Sequence, residues 1–152
     1  MNRTSINARL IEGLYCEALV LSDEVRANFD LSRRRAGGSA ESEAQIALSC
    51  EGLRTTTRMM HATAWLLNLR AYLAGELSEL RLRIHGKLPA DLSPADPART
   101  AILPEPIAEL IGATENFYAR LQRIDRRLRS PATEHPRGID IIRARLGWPA
   151  AA

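Results

Sequence analysis

The stretch SEAQIALSCEGLRTTTRMMHATAWLLNLRAYL, residues 42–73, decides the fold of this chain. Its apolar and small residues recur at alternating steps of four and three, the heptad pattern of a helix that lies along partner helices. The members are Ile46, Cys50, Leu53, Thr57, Met60, Ala64, Leu67 and Ala71. Ser42 followed by Gln45 forms a capping-box pattern, which predicts that a helix of roughly 50 Å begins here.

The second half of this predicted helix is apolar in almost every direction, because further apolar residues flank the heptad stripe. They are Met59, Ala62, Trp65, Leu66, Leu69, Tyr72 and Leu73. A helix that is apolar on all sides must be covered on all sides, and two other helices of a small chain cover about two thirds of it. A second copy of the chain is the simplest source of the rest. We therefore predict a homodimer whose interface is formed by Trp65, Leu66, Leu69, Tyr72 and Leu73.

Two further helices are predicted, one on each side of this stretch. The first begins at Thr4 or Ser5, ends near Leu31 and has an apolar stripe formed by Ile11, Leu14, Ala18, Leu21 and Val25. The last begins at Pro104–Pro106 and has the cleanest one-sided apolar face. That face consists of Ile107, Leu110, Ile111, Thr114, Phe117, Tyr118, Leu121, Ile124 and Leu128.

The region between the second and third predicted helices is poor in helical signals. Residues 75–88 alternate rather than follow a helical period and are predicted to be frayed or extended, and residues 89–106 contain five prolines. The sequence therefore predicts an all-α fold, a three-helix antiparallel bundle over residues 1–130 with a long proline-rich loop between helices 2 and 3. Residues 131–152 are predicted to form a flexible or partner-docking tail.

Composition sets limits on the class of protein. A chain of 152 residues with 45% apolar residues fits one folded domain, and 5% aromatic content favours helices over sheets. Cys16 and Cys50 lie in helical patterns and are expected to be reduced thiols. No segment has the roughly 18 consecutive apolar residues of a membrane span, and Glu12 and Glu17 interrupt any signal peptide. We expect a cytoplasmic protein.

Positive charge is concentrated near the C-terminus. Residues 1–119 carry 13 basic and 15 acidic residues, net −2, whereas residues 120–152 carry eight basic and three acidic residues, net +5. A basic face on the third helix and apolar tail residues are the candidate partner-binding positions: Arg120, Arg123, Arg127, Ile141, Leu146 and Trp148. The tail either docks on the bundle or binds another protein. The basic face alternatively contacts nucleic acid, although Asp125, Glu134 and Asp140 are interleaved with it.

The patterns that carry catalytic chemistry are missing from the sequence. A carboxylate-bridged metal site in a bundle needs Glu-x-x-His pairs, but the residues three positions before the histidines are Arg58, Leu82 and Ala132. No zinc-spaced Cys/His set, phosphate-binding glycine loop or nucleophile elbow is present. We expect a protein that is not an enzyme and that has no cofactor or metal.

Residues of the first two predicted helices resemble a known family. The matching positions are Leu14, Tyr15, Glu17, Ala18, Leu21, Asp23 and Glu24, followed by Ser49, Cys50, Glu51, Leu53, Thr56, Thr57, Arg58, Met60, His61, Ala64, Trp65, Leu66 and Leu67. This pattern resembles the alphaproteobacterial DUF1465 family typified by the regulator of CtrA degradation.

The resemblance implies a dimeric, non-catalytic adaptor that helps to bring cell-cycle regulatory proteins to the ClpXP protease, with response-regulator-type cargo and a location at the cell pole. A structural polar scaffold is an alternative role. The chain ends with Ala150, Ala151 and Ala152. This end resembles tails that ClpX recognises, and a chance alanine-rich end is the alternative.

Overall fold

The computed structural model describes residues 7–35 and 42–130. This part of the chain is helical and contains no strand, so the predicted all-α class is confirmed. The helices are α1 (Ala8–Arg35), α2 (Glu43–Leu73), α3 (Glu79–His85), α4 (Pro97–Thr100) and α5 (Glu105–Arg129). The predicted tail, residues 131–152, lies outside the described residues.

The ends of α2 follow the signals in the sequence. The Ser42 hydroxyl accepts a hydrogen bond from the Gln45 backbone N–H at 3.2 Å, which is half of the predicted capping box. The other half does not form, because Gln45 Oε1 is buried without a hydrogen-bond partner in the described part of the chain. Beyond the C-terminal end, Gly75 has φ of 81°. This left-handed conformation suits glycine and turns the chain away from the helix axis.

Contacts between the long helices give their directions. The Arg70 guanidinium donates to Glu12 at 2.7 Å, and Gly52 lies against the Phe29 ring, so α1 and α2 are antiparallel. Between α2 and α5, the residue numbers of the contacting pairs increase in the same direction. Arg58 donates to Thr114 at 3.0 Å, and Trp65 donates to Asp125 at 2.9 Å. Helices α2 and α5 are therefore parallel, and the predicted antiparallel arrangement is wrong for this pair.

The reason is the connection between them, which returns along the length of the bundle. Gly86 lies near the C-terminal end of α5, where its carbonyl accepts from Arg129 at 2.6 Å. At the other end, the Ala95 N–H donates to Glu115 at 2.7 Å. Residues 86–96 have neither helix nor strand and span this distance. We call this segment the crossover strap; it carries the chain back so that α5 starts beside the first half of α2.

Two short helices lie in the region predicted to be frayed or looped. Helix α3 begins after Ser78, whose hydroxyl accepts from the Arg81 N–H, and α4 begins after Asp96, whose carboxylate accepts from the Ala98 N–H. Each has an ordinary N-cap but is too short to show a periodic apolar face. Leu82 of α3 is nevertheless buried, so α3 helps to cover the core.

The core is formed largely by the faces predicted for α1 and α5. Ile11, Leu14, Ala18 and Val25 of α1 are buried, and Leu21 is partly buried. In α5, seven members of the predicted face are buried, and Ile124 and Leu128 are partly buried against them. The one-sided apolar patterns of these two helices thus identify their inner faces.

Candidate protein-binding surface

The residues predicted to form a dimer interface lie inside a single chain. Trp65, Leu66, Leu69 and Tyr72 are buried, and Leu73 is partly buried against the core. The Trp65 indole N–H donates to the Asp125 carboxylate of α5. A second copy cannot reach the buried side chains, so the structure corrects their assignment from interface to core. The cover that seemed to require another chain comes from α5, from α3 and from the crossover strap.

The predicted heptad stripe, in contrast, lies on the surface of the protein. Its four large members, Ile46, Leu53, Met60 and Leu67, are 51%, 71%, 60% and 44% exposed. They recur every seven residues along α2 and form an apolar ridge on the surface. Single exposed leucines are common in folded proteins, but a continuous apolar row marks a contact surface. We call these four residues the α2 ridge.

A groove of about 800 Å³ lies between this ridge and α1. Its apolar walls include Leu19, Val25, Phe29, Leu53, Met60 and Leu67, and small residues such as Gly52, Thr56, Thr63 and Ala64 form much of its α2 side. Gly52 brings α1 close, because a Cβ atom at this position would lie 3.0 Å from Phe29 Cδ1. We call this feature the α1–α2 groove.

The charges of the groove lie at its α1 rim. Arg26 pairs with Asp23 at 3.2 Å and Arg33 pairs with Asp30 at 3.4 Å, all on α1 and largely exposed. Such exposed pairs contribute little to stability. The last turn of α1 holds Arg33, Arg34 and Arg35, and of these Arg33 lines the groove.

On its other side, α2 carries buried polar groups that fix α5 and the crossover strap. Arg58 is buried and contacts Thr114 and Glu115 of α5. Burial lowers the pKa of Arg58, while the nearby Glu115 and Glu51 carboxylates raise it. Glu51 is fully buried and accepts from Arg54 at 2.7 Å and from the Asp96 N–H at 3.3 Å. These contacts join α2 to α5 and to the crossover strap.

Tyr118 holds the middle of the crossover strap. Its hydroxyl donates to the Pro89 carbonyl at 2.7 Å, and Gln122 donates to the same oxygen at 3.2 Å. Burial raises the pKa of Tyr118 to about 12, because the phenolate would lose its hydration. The neutral, hydrogen-bonded phenol is therefore the form that the fold stabilises.

The predicted basic face of α5 is divided between internal and external roles. Arg120 pairs with Glu17 of α1 and lies over the Phe117 ring at 5.1 Å from its centroid. Arg123 and Arg127 are exposed. The interleaved Asp125 is engaged internally, since it accepts from Trp65 and from Arg129. Ile141, Leu146, Trp148 and the terminal alanines lie outside the described residues.

Within residues 7–35 and 42–130, no group of three His, Cys, Asp or Glu side chains is placed to hold a metal ion. None of the helices in these ranges is long and apolar enough to cross a membrane. Cys16 is exposed and Cys50 is half-buried, and both are free thiols.

Comparison with known protein families gives a match. A family model described as "Protein of unknown function (DUF1465)" matches residues 2–147. No curated protein matches the chain, and no solved structure matches it. Because the match extends over nearly the whole sequence, this chain belongs to the DUF1465 family.

Proposed function

We propose that this protein is a non-enzymatic adaptor that acts as a homodimer and binds other proteins through the α1–α2 groove. The observation that carries the proposal is the exposure of the α2 ridge beside an apolar groove, on a fold whose other side is closed by α5. When a protein covers exposed apolar surface of this kind, the free energy falls by roughly 25 cal/mol per Å² of surface buried.

The shape of the groove favours a helix as the bound element. Its α2 side extends from Leu48 to Leu67, which is about 28 Å of helix, or roughly five turns. Peptide helices bind in such grooves through apolar residues at helical spacing. The small side chains of Thr56, Thr63 and Ala64 leave room for the backbone of the bound helix to approach.

The arginines at the end of α1 favour a partner helix with acidic residues at one end. Arg33 lines the groove, and Arg34 and Arg35 follow it in the last turn of α1. Charges at the rim of an interface increase the association rate and select the orientation of the partner more than they raise affinity. The proposed ligand is thus an amphipathic helix whose acidic end lies beside Arg33–Arg35.

The cellular role follows from the resemblance to the family of the regulator of CtrA degradation. We propose that the partners are the ClpXP protease and response-regulator-type cargo, and that the adaptor works in the cytoplasm and at the cell pole. Arg123 and Arg127 of α5 and the apolar residues of the tail are proposed as additional contacts. An adaptor of this kind needs binding surfaces and no reactive group.

The test is affinity capture from the cytoplasm of the source organism with the full chain, followed by mass spectrometry. Leu19 is 46% exposed and lines the groove, whereas its neighbour Val20 is 58% exposed and does not line it. The wild type and Val20→Glu are expected to recover ClpX or a response regulator. Leu19→Glu should recover at least about tenfold less, because the bound helix would cover a charge.

Three outcomes contradict the proposal. Recovery of nucleic acid alone, falling steeply as salt increases, would support the basic face of α5 as the functional surface. Recovery of only the chain itself, with no effect on the half-life of any protein in cells, would support a structural scaffold. Equal recovery by Leu19→Glu and Val20→Glu would show that the groove is not the binding site.

A further inference from the structure

The α2 ridge is one half of a stricter pattern, which we call the heptad seam. Four residues after each large ridge member stands a small residue, and these are Cys50, Thr57, Ala64 and Ala71. Ala64 is exposed and the other three are half-buried. The eight positions extend over nearly four heptads, or about 38 Å of helix. A seven-residue repeat of this length is typical of a helix paired with another helix along its whole surface.

The order of large and small residues favours one direction of pairing. In an antiparallel pair of seams, Ile46 can lie level with Ala71 of the second copy. The same register places Leu53 opposite Ala64, Met60 opposite Thr57, and Leu67 opposite Cys50. Every layer then contains one large and one small side chain, so the layers have similar volumes and can pack at the density of a protein interior.

A parallel pair lacks this property. Each large residue would face its own copy, and each small residue would do the same, as in Cys50 against Cys50 or Ala64 against Ala64. Layers of two small residues leave space that cannot be filled without bending the helices, and voids of this kind are costly. The alternation therefore distinguishes between the two directions without any charged residue in the seam.

We infer that the heptad seam binds a second copy of this chain in antiparallel register, with the two-fold axis passing between the levels of Thr57 and Met60. A two-fold interface uses the same patch on both copies, so that patch must contain both halves of the contact. The seam meets this requirement, because its large and small positions are complementary only when one copy is reversed. This inference rests on the proposed homodimer and specifies which surface forms it. Leu53, Met60 and Leu67 also line the α1–α2 groove, so the second copy borders the groove in which the partner helix binds.

Disulfide cross-linking tests the register directly, with Cys16→Ser as the background so that Cys50 is the one remaining thiol. In the antiparallel pair, Cys50 and its copy are separated by about 25 Å, because they lie at the levels of residues 50 and 67. Leu67→Cys places a thiol opposite Cys50 of the second copy, within reach of a disulfide. Leu53→Cys is the matched control, since it faces Ala64.

After mild oxidation, Leu67→Cys should form a covalent dimer of twice the 16.8 kDa chain mass. The background protein and Leu53→Cys should stay as single chains on a non-reducing gel. A second pair, Ile46→Cys with Ala71→Cys in a background that also lacks Cys50, should cross-link as Leu67→Cys does, whereas either substitution alone should not. This second variant keeps the test valid if substitution of Leu67 weakens the fold.

Cross-linking of Leu53→Cys or of the background protein would overturn the antiparallel register. A wild type that sediments at 16.8 kDa, together with no cross-link in either designed variant, would overturn the pairing itself. Ile46 belongs to the seam and does not line the groove, whereas Leu19 lines the groove and does not belong to the seam. Ile46→Glu should therefore give monomers while Leu19→Glu stays dimeric.

The same two positions separate failure of this inference from failure of the proposed function. Loss of captured partners in Leu19→Glu, with no cross-link in the seam variants, would leave the adaptor proposal intact and remove the seam. A cross-linked seam in a protein that captures neither ClpX nor a response regulator would support the seam and remove the adaptor proposal.

Discussion

The pair of helices α1 and α2 has two long sides, and the rest of the described chain covers one of them. On the covered side, α5 meets α2 through buried apolar residues and through polar pairs at fixed levels, Arg58 with Thr114 and Trp65 with Asp125. On the open side lies the α2 ridge, where Leu53 is 71% exposed. Both sides have enough apolar residues to be a core.

The comparison teaches that polar residues decide which side of α2 faces inward. Glu51, Thr55 and Arg58 are buried, although their chemistry is that of surface residues. The charges of Glu51 and Arg58 are tolerated because they bind Arg54 of α2, the Asp96 N–H of the crossover strap, and Thr114 and Glu115 of α5, and a buried charge without a partner is costly. Glu51 Oε2 and Thr55 Oγ1 have no hydrogen-bond partner among the described residues. The α2 residues that line the groove on the open side carry no charge. A purely apolar and small surface can accept a different chain without leaving charges unpaired.

The largest expected difference between the two sides concerns Trp65, on the covered side. Trp65→Ala removes a buried ring and takes one donor from Asp125, and we expect a loss of about 3–5 kcal/mol in the free energy of unfolding. Urea unfolding followed by circular dichroism measures it. Leu80→Ala is the control, because Leu80 is 67% exposed, and its change should stay within about 0.5 kcal/mol. Equal midpoints for the two variants would contradict the assignment of Trp65 to the core.

A smaller effect is expected from the contact between Tyr118 and the crossover strap. The pKa of Tyr118 is raised to about 12 in the folded state, against about 10 for an unfolded tyrosine. As the pH rises from 10 to 12, the unfolded state loses this proton first, so the stabilisation is complete below pH 10 and falls above it. The free energy of unfolding should fall by about 2–3 kcal/mol in total.

The matched variant is Tyr118→Phe, which keeps the ring and removes the titrating group. Its unfolding free energy should be lower than that of the wild type by about 1 kcal/mol at pH 8, because the Pro89 carbonyl loses one donor. The wild type should then lose stability relative to the variant between pH 10 and pH 12, as measured by urea titration. Parallel pH profiles for the two proteins would show that burial does not shift this phenol.

The smallest effect distinguishes glycines on the two sides. A Cβ atom at Gly112 of α5 would have nothing within 4 Å, whereas at Gly52, which lines the groove, it would press on Phe29. Gly112→Ala should raise the free energy of unfolding by about 0.5–1 kcal/mol through helix propensity. Gly52→Ala should gain less or lose stability, because the buried Phe29 ring must move. Equal gains in thermal unfolding would contradict the close approach of α1 and α2.

The sequence predicts the inner faces of α1 and α5 because each has a single apolar stripe. It does not predict the inner face of α2, because this helix has two candidate faces. One is the apolar heptad stripe, and the other combines apolar residues with Glu51, Thr55 and Arg58. The heptad stripe is the more regular of the two, so the sequence predicts that this stripe lies along the partner helices, whereas the structure buries Glu51 and Arg58 on the other face. The structure shows their partners: Arg58 donates to Thr114 and Glu115 of α5, and Glu51 accepts from Arg54 and from the Asp96 N–H.

The direction of α5 also could not be read from the sequence. Five prolines between residues 89 and 106 exclude a long helix, but a connection of this length can join either end of the bundle. The strap runs back along α5 because Glu115 accepts from the Ala95 N–H at one level, and Tyr118 and Gln122 both donate to the Pro89 carbonyl further along α5. Hydrogen bonds to backbone groups leave no apolar pattern, so the sequence carries no signal of the crossover.

The most direct test of the account is sedimentation equilibrium of Leu53→Glu beside the wild type at micromolar concentration. Leu53 is the most exposed member of the ridge, so the account predicts a variant with unchanged helical content that sediments as a 16.8 kDa monomer, whereas the wild type sediments at twice that mass. A Leu53→Glu protein that remains dimeric would contradict the claim that the open side of α2 forms the contact with the second copy.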